Sequence, residues 1–290
     1  MQNKISIGTA NFGVDYGLNN NSKFNLDEIS KLKKYLIQSK INQIDTSKKY
    51  KNCEEIIGKA NFSNFIITTK VYINQLSNIH PFKDAENQIK NSIKKMNIKK
   101  NNMNILIHNS SSLYNSYGID FYNSLNNLRD YFPINKIGLS VYDPETYINL
   151  SKIIDIQILQ FPLNIFDNRF VNKKIKNLLI KRDVTMQARS IFLQGLLLID
   201  YKHMPIYFNN WISVFKSYEK WLNHNKITPL DACINHLKQH KHIASFIFGI
   251  NSLDQLIQIN ESINKKYQKI NFINRKIDSK LINPNLWNKS

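Results

Sequence analysis

Four side chains of complementary chemistry fall at the ends of successive apolar runs. Asp45 closes the run 43–47, Lys70 closes 65–71 and His108 closes 104–109, while Tyr50 lies five residues beyond Asp45 in the following loop. If these runs are parallel strands of one sheet, their ends share one edge and the four groups converge. Together they could reduce a carbonyl. A Tyr hydroxyl can deliver the proton that the nascent alkoxide needs, but its ordinary pKa of about 10 makes it a poor acid at neutral pH. A neighbouring Lys ammonium stabilises the phenolate and lowers that pKa, and a carboxylate holds the Lys in place. A His at the rim can orient the carbonyl and stabilise the developing oxyanion. Singly, each residue has a plainer use: Asp45 and Lys70 as a buried ion pair, His108 as a core imidazole, Tyr50 as one of 14 Tyr. Their order along the chain is what favours chemistry.

The elements that would position them alternate along the whole chain. Strand-like runs occupy 4–10, 43–47, 65–71, 104–109, 136–142, 156–163, 185–189 and 245–250. Helical patterns occupy 26–39, 54–60, 83–96, 119–131, 144–152, 173–181, 211–223 with 229–239, and 253–265. Runs apolar on both faces are what a parallel sheet covered by helices requires. Eight strand–helix units in about 250 residues match a closed (β/α)₈ TIM barrel with eight parallel strands, whose chemistry sits at the C-terminal strand ends. A doubly wound open sheet is the competitor, but the turn after the first run, Gly8-Thr9-Ala10-Asn11-Phe12-Gly13, lacks the GxGxxG spacing. No linker rich in Pro, Gly or Ser interrupts the chain, so one domain over 1–290 is expected. The polar tail 271–290 is expected to lie across the barrel or trail off.

The chain has 290 residues, 42% hydrophobic and 21% charged, enough to bury a large core. It holds no apolar run of the roughly 18 residues that a membrane helix needs. Its start, Met1-Gln2-Asn3-Lys4-Ile5-Ser6, lacks the apolar run of a secretory signal, and Cys53 and Cys233 cannot build a disulfide framework, so a cytoplasmic protein is expected. The net charge of +19 raises a nucleic-acid reading. Asn, Ile and Lys together make 121 of the 290 residues, and two of these three carry no charge. All three have A/T-rich codons, so biased coding explains the excess better than phosphate binding does. Only five Arg occur, though Arg is the usual reader of bases. No specific nucleic acid and no membrane insertion are expected. The seven His show no metal-ligand spacing, and His236, His240 and His242, interleaved with Lys238 and Lys241, read as a solvated face. Cys53 reads as a small buried residue, and Trp211 and Trp221 as barrel packing.

The stretch Ile44-Asp45-Thr46-Ser47-Lys48-Lys49-Tyr50-Lys51-Asn52-Cys53-Glu54-Glu55-Ile56-Ile57-Gly58 resembles the aldo/keto reductase signature, with Lys51 for the usual Gly and Cys53 for the usual Ser. Ile7–Gly13 resembles the family's first strand, and Thr68-Thr69-Lys70, Leu106-Ile107-His108, Gly138–Tyr142, Leu159–Asn164 and Arg189–Leu197 resemble later family segments in order. The resemblance implies an NAD(P)H-dependent oxidoreductase that reduces an aldehyde or ketone. Asp45, Tyr50, Lys70 and His108 would be its catalytic tetrad. Its cofactor, NADP(H) or NAD(H), would lie extended across the barrel mouth. Gly8 and Thr9 belong to the first strand's segment, Ser140 and Gln160 would bind the carboxamide, and Ser190, Leu193 and Gly195 would pass under the pyrophosphate. Arg189 stands where relatives place a ring that stacks on the nicotinamide. Around Gly249, Asn251, Ser252 and Gln255, NADPH-preferring relatives place a Lys and an Arg for the 2′-phosphate, and this chain has Gly249 and Gln255 instead. NADH or dual use therefore stays open, with Lys265 or Lys266 as substitute cations. The 189–197 pattern resembles bacterial relatives of surface-polysaccharide and sugar metabolism, implying a small polar carbonyl substrate. Two other classes compete: a non-catalytic dinucleotide-binding barrel that regulates a protein partner, and a basic scaffold for anionic surfaces.

Overall fold

The computed structural model describes residues 1–12, 24–74, 78–266, 272 and 277–287. Eight strands, β1 (Ile5–Gly8), β2 (Gln43–Asp45), β3 (Ile66–Val71), β4 (Met103–Ile107), β5 (Ile134–Ser140), β6 (Ile158–Pro162), β7 (Thr185–Arg189) and β8 (Ser245–Gly249), pair in sequence order, all parallel. β1 pairs with both β2 and β8, which closes the barrel. The expected (β/α)₈ TIM barrel is therefore present, with strand bounds within three residues of those read from sequence. Gly13 and parts of the tail (267–271, 273–276 and 288–290) lie outside the described residues.

The helices are α1 (Leu26–Gln38), α2 (Cys53–Lys59), α3 (Pro81–Met96), α4 (Ser116–Leu128), α5 (Pro144–Leu150), α6 (Lys173–Lys181), α7 (Ile212–His224), α8 (Pro229–Lys238), α9 (Leu253–Asn264) and the short α10 (Ser279–Ile282). Three of the 42 Asn work at their starts. Asn25, Asn115 and Asn172 accept from Glu28 N, Gly118 N and Ile175 N, satisfying amides that have no partner inside a helix. The Asn115 cap starts α4 three residues before the expected 119, and His80 with Pro81 starts α3 two residues early.

One apolar core fills the space between barrel and helices. A second gathers under the segment after β7, where Leu193, Leu196, Leu197, Phe208, Phe215 and Tyr218 meet Leu281, Ile282 and Trp287. The described part of the tail, 277–287, is thus seated rather than trailing: Tyr142 Oη donates to Asn285 Oδ1 at 3.2 Å and Tyr207 Oη to Leu286 O at 3.1 Å. Trp211 and Trp221 pack in this second core; Trp211 also borders an open cleft of about 620 Å³ with Tyr207, Asp278 and Leu286.

His236, His240 and His242 correct the solvated-face expectation. They are half-buried, with ring centroids 4.9 Å (His236–His240) and 5.9 Å (His240–His242) apart. Tight turns after α8, closed by His240 N donating to Leu237 O and Ile243 N donating to His240 O, keep the three rings together. No group of His, Cys, Asp or Glu among the described residues has metal-binding geometry.

Candidate active site

Register brings the polar strand ends to one level. Gly8 stands beside Asp45 and Asp45 beside Thr68, while across the barrel Ser140, Gln160 and Gln187 are neighbours. Lys70 Nζ donates to both Asp45 oxygens, at 2.6 and 2.8 Å, and to Thr46 O at 3.1 Å. Both side chains are buried, at 2% and 6% exposure, so each charge is matched by the other out of reach of water. Gln160 Nε2 donates to Asp45 Oδ2 at 2.7 Å, and from there bonds run through Gln187 and Thr68 to Asn104. This polar chain crosses the barrel interior and holds the carboxylate from below.

Tyr50 is half-buried, with Lys70 Nζ 5.7 Å from its ring centroid and the His108 ring edge-on at 6.5 Å. Tyr72 meets His108 from another side at 6.4 Å. All four sequence-expected residues therefore come together.

Two ionisation shifts characterise the site. Burial pulls the Lys70 pKa below its ordinary value; Asp45 opposes that shift and Arg189 adds to it. Burial, then the charges of Lys70, Arg189 and Lys49, push His108 down to about 3, so the imidazole is neutral near pH 7. Ser47 was named in the sequence only as part of the signature, yet it orients this ring. Its hydroxyl accepts from Lys49 N at 3.2 Å and lies 3.3 Å from His108 Nδ1. With one proton and a second lone pair still available, the hydroxyl can pair with Nδ1 in either tautomer, and the contact fixes the orientation of the ring. The only sequence signal was the position of Ser47 between Asp45 and Tyr50.

The other expected residues divide into groups. Gln160 Oε1 is a buried acceptor with no partner among the described residues, and Ser140, its neighbour on β5, is also buried. An acceptor and a hydroxyl side by side fit a carboxamide, so the residues present suit a nicotinamide ring. Arg189 extends over the end of β5: it donates to Val141 O at 3.0 Å and to Ser190 Oγ at 3.2 Å, with its guanidinium 4.0 Å from the Tyr142 ring centroid. The next turn is left-handed at Ser190, Leu193, Gln194 and Gly195. There the amides of Leu193 and Gly195 already donate to Ser190 O and Phe192 O, and the Leu193 side chain is core. Thr9 is likewise engaged, donating to Thr46 Oγ1 at 2.8 Å.

Gly249, Asn251, Ser252 and Gln255 form a separate group at the turn into α9. Asn251 N donates to Gln255 Oε1 at 2.8 Å, Ser252 caps the helix, and space around Gly249 is open. Lys265 is no substitute cation here: it pairs with Asp231 at 3.0 Å at the far end of α9, about 20 Å along the helix axis from Ser252. Cys53 is buried, donating to Thr9 O at 3.1 Å, as expected of a packing residue.

A closed parallel barrel thus carries a buried Lys–carboxylate pair, a Tyr ring and a His ring at its C-terminal mouth. The sequence model of the Aldo/keto reductase family matches residues 4–278, and the chain belongs to that family. Solved structures agree on the fold. Two of an assigned aldo-keto reductase from Pseudomonas aeruginosa superpose with TM-scores of 0.65 and 0.64 at 17% and 16% identity. They cover 90% of this chain and 89% and 88% of theirs. The glycerol dehydrogenase of Gluconobacter oxydans gives 0.66 at 17% identity, over 91% of this chain and 87% of its own. None of the curated proteins is similar to this chain. The family uses NAD(P)H in general and acts on small carbonyl compounds. No helix among the described residues is long and apolar enough to cross a membrane.

Proposed function

We propose that the chain is a single-domain NAD(P)H-dependent reductase of aldehydes or ketones, with Tyr50 as its general acid. The observation that carries the reading is the buried Asp45–Lys70 pair beside the Tyr50 ring. A bound nicotinamide dinucleotide supplies the hydride. Tyr50 gives the carbonyl oxygen its proton; the Lys70 ammonium stabilises the phenolate left behind, and Asp45 keeps that ammonium charged despite burial. His108 donates from Nε2 to the carbonyl oxygen and strengthens that bond as negative charge grows there. A neutral imidazole suits the task, because it orients the oxygen without competing with Tyr50 for the proton transfer. Ser140 and Gln160 would hold the carboxamide, Arg189 the ring's surroundings, and the 190–195 turn the pyrophosphate, through Ser190 more than through the engaged Leu193 and Gly195 amides. Gly249, Asn251, Ser252 and Gln255 would meet the adenosine end, where neutral groups serve NAD(H) as well as NADP(H). Substrates are small and polar, a sugar-derived carbonyl being the example that the 189–197 segment favours.

The test is spectrophotometric: consumption of NADPH and of NADH with glyceraldehyde and 4-nitrobenzaldehyde. Aldehyde-dependent oxidation of either cofactor is expected. Dinucleotide binding with no turnover on a broad aldehyde panel is the outcome of the non-catalytic barrel and overturns the enzyme reading.

A further inference from the structure

Arg189 is a fixed cation at the site without a carboxylate partner among the described residues. Its guanidinium is held three ways, by Val141 O, by Ser190 Oγ and by the face of Tyr142. Asp45, the carboxylate at this mouth, is already taken by Lys70 and Gln160. The positive charge of Arg189 is felt at both Lys70 and His108, the two groups that flank the reaction centre. The guanidinium also lies against the end of β5, one residue past Ser140, and Ser140 faces the unpartnered Gln160 Oε1 across a β5–β6 pairing. A ring anchored by its carboxamide at Ser140 and Gln160 must therefore lie near the guanidinium.

The nicotinamide ring is neutral when reduced and carries one positive charge when oxidised. A nearby fixed cation raises the energy of the oxidised ring and leaves the reduced one nearly untouched, and half-burial keeps solvent from screening the effect fully. The pyrophosphate and ribose are identical in both oxidation states, so their contacts cancel. From this we infer that Arg189 makes the site discriminate between oxidation states, binding the reduced dinucleotide more tightly than the oxidised one. The inference rests on the dinucleotide reading above. Its consequence in the reductive direction is early release of the oxidised product. In the oxidative direction, oxidised cofactor must be abundant for the enzyme to turn over.

Calorimetric titration of the wild type, Arg189→Gln and Arg189→Lys with NADH, NAD⁺, NADPH and NADP⁺ tests this. The wild type is expected to bind each reduced form roughly tenfold more tightly than its oxidised partner. Arg189→Gln should bring that ratio close to one, and Arg189→Lys should keep most of it. A purely structural Arg189 would alter both affinities together and leave the ratio alone. A wild-type ratio near one overturns the inference whatever the variants do, as does an unchanged ratio in Arg189→Gln. Failure of the wild type to bind any of the four nucleotides overturns the dinucleotide reading itself, and the inference with it.

Discussion

Asp45 is the residue on which the site's charge balance turns. It neutralises Lys70, accepts from Gln160 and is shielded from water. Asp45→Asn removes the counter-charge and leaves a buried ammonium unpaired, a change that costs about 3–5 kcal/mol; a urea melt should show the loss, accompanied by loss of turnover. Ser47 acts through another group: by bonding His108 Nδ1 it sets the imidazole that faces the substrate. Ser47→Ala should lower kcat about tenfold with dinucleotide affinity unchanged, and Ser47→Thr should recover part of the loss; steady-state kinetics beside a cofactor titration separates the two effects. At this scale the sequence was legible where residue type and strand-end position coincide, as at Asp45, Lys70 and His108. It was mute where a role depends on which hydrogen bond a side chain has left to make. Ser47, and the engaged amides of Leu193 and Gly195, are of that kind. The partnering of Lys265 with Asp231 equally depends on where α9 ends, which spacing alone does not reveal.

Between the strands, closeness of backbones decides what is tolerated. Gly138 on β5 sits so near β6 that an added Cβ would come 1.7 Å from Ile158 O. Gly138→Ala must therefore push two barrel strands apart, and those strands carry Ser140 and Gln160. The variant should lose about 3 kcal/mol or more and bind dinucleotide more weakly; thermal melts and titration of any folded fraction would check this. Element order was legible because strands buried on both faces read as continuous apolar runs, and β7 and α6 were bounded correctly to the residue. Boundaries shifted where capping side chains overrode apolar periodicity, at Asn115 before α4 and His80 before α3. The second core could not be read, since it joins the segment after β7 to a tail that is polar overall but buries Leu281, Ile282 and Trp287.

Across the whole molecule, burial of neutral imidazoles makes stability depend on pH. Burial, with His240 as the second cause, holds His236 down at about 3, and His108 is held at about 3 as well. In the unfolded chain each returns to its ordinary 6.5. Between pH 6.5 and about 3 the unfolded state thus binds a proton that the folded state refuses, so stability falls as pH falls. The slope is about 1.4 kcal/mol per pH unit for each group. His236→Phe should flatten the decline of Tm below pH 6 while leaving catalysis intact; melts from pH 7 to 4 would show it. The charge of +19, by contrast, follows from a Lys-rich composition with only five Arg. The central claim is that Tyr50, activated by Lys70 and Asp45, protonates a carbonyl reduced at this mouth. The most direct measurement compares the wild type with Tyr50→Phe for aldehyde-dependent NAD(P)H oxidation, with cofactor affinity measured on both. The account predicts turnover reduced by about 10²- to 10⁴-fold in Tyr50→Phe with dinucleotide binding retained. Equal turnover in the two proteins would contradict it.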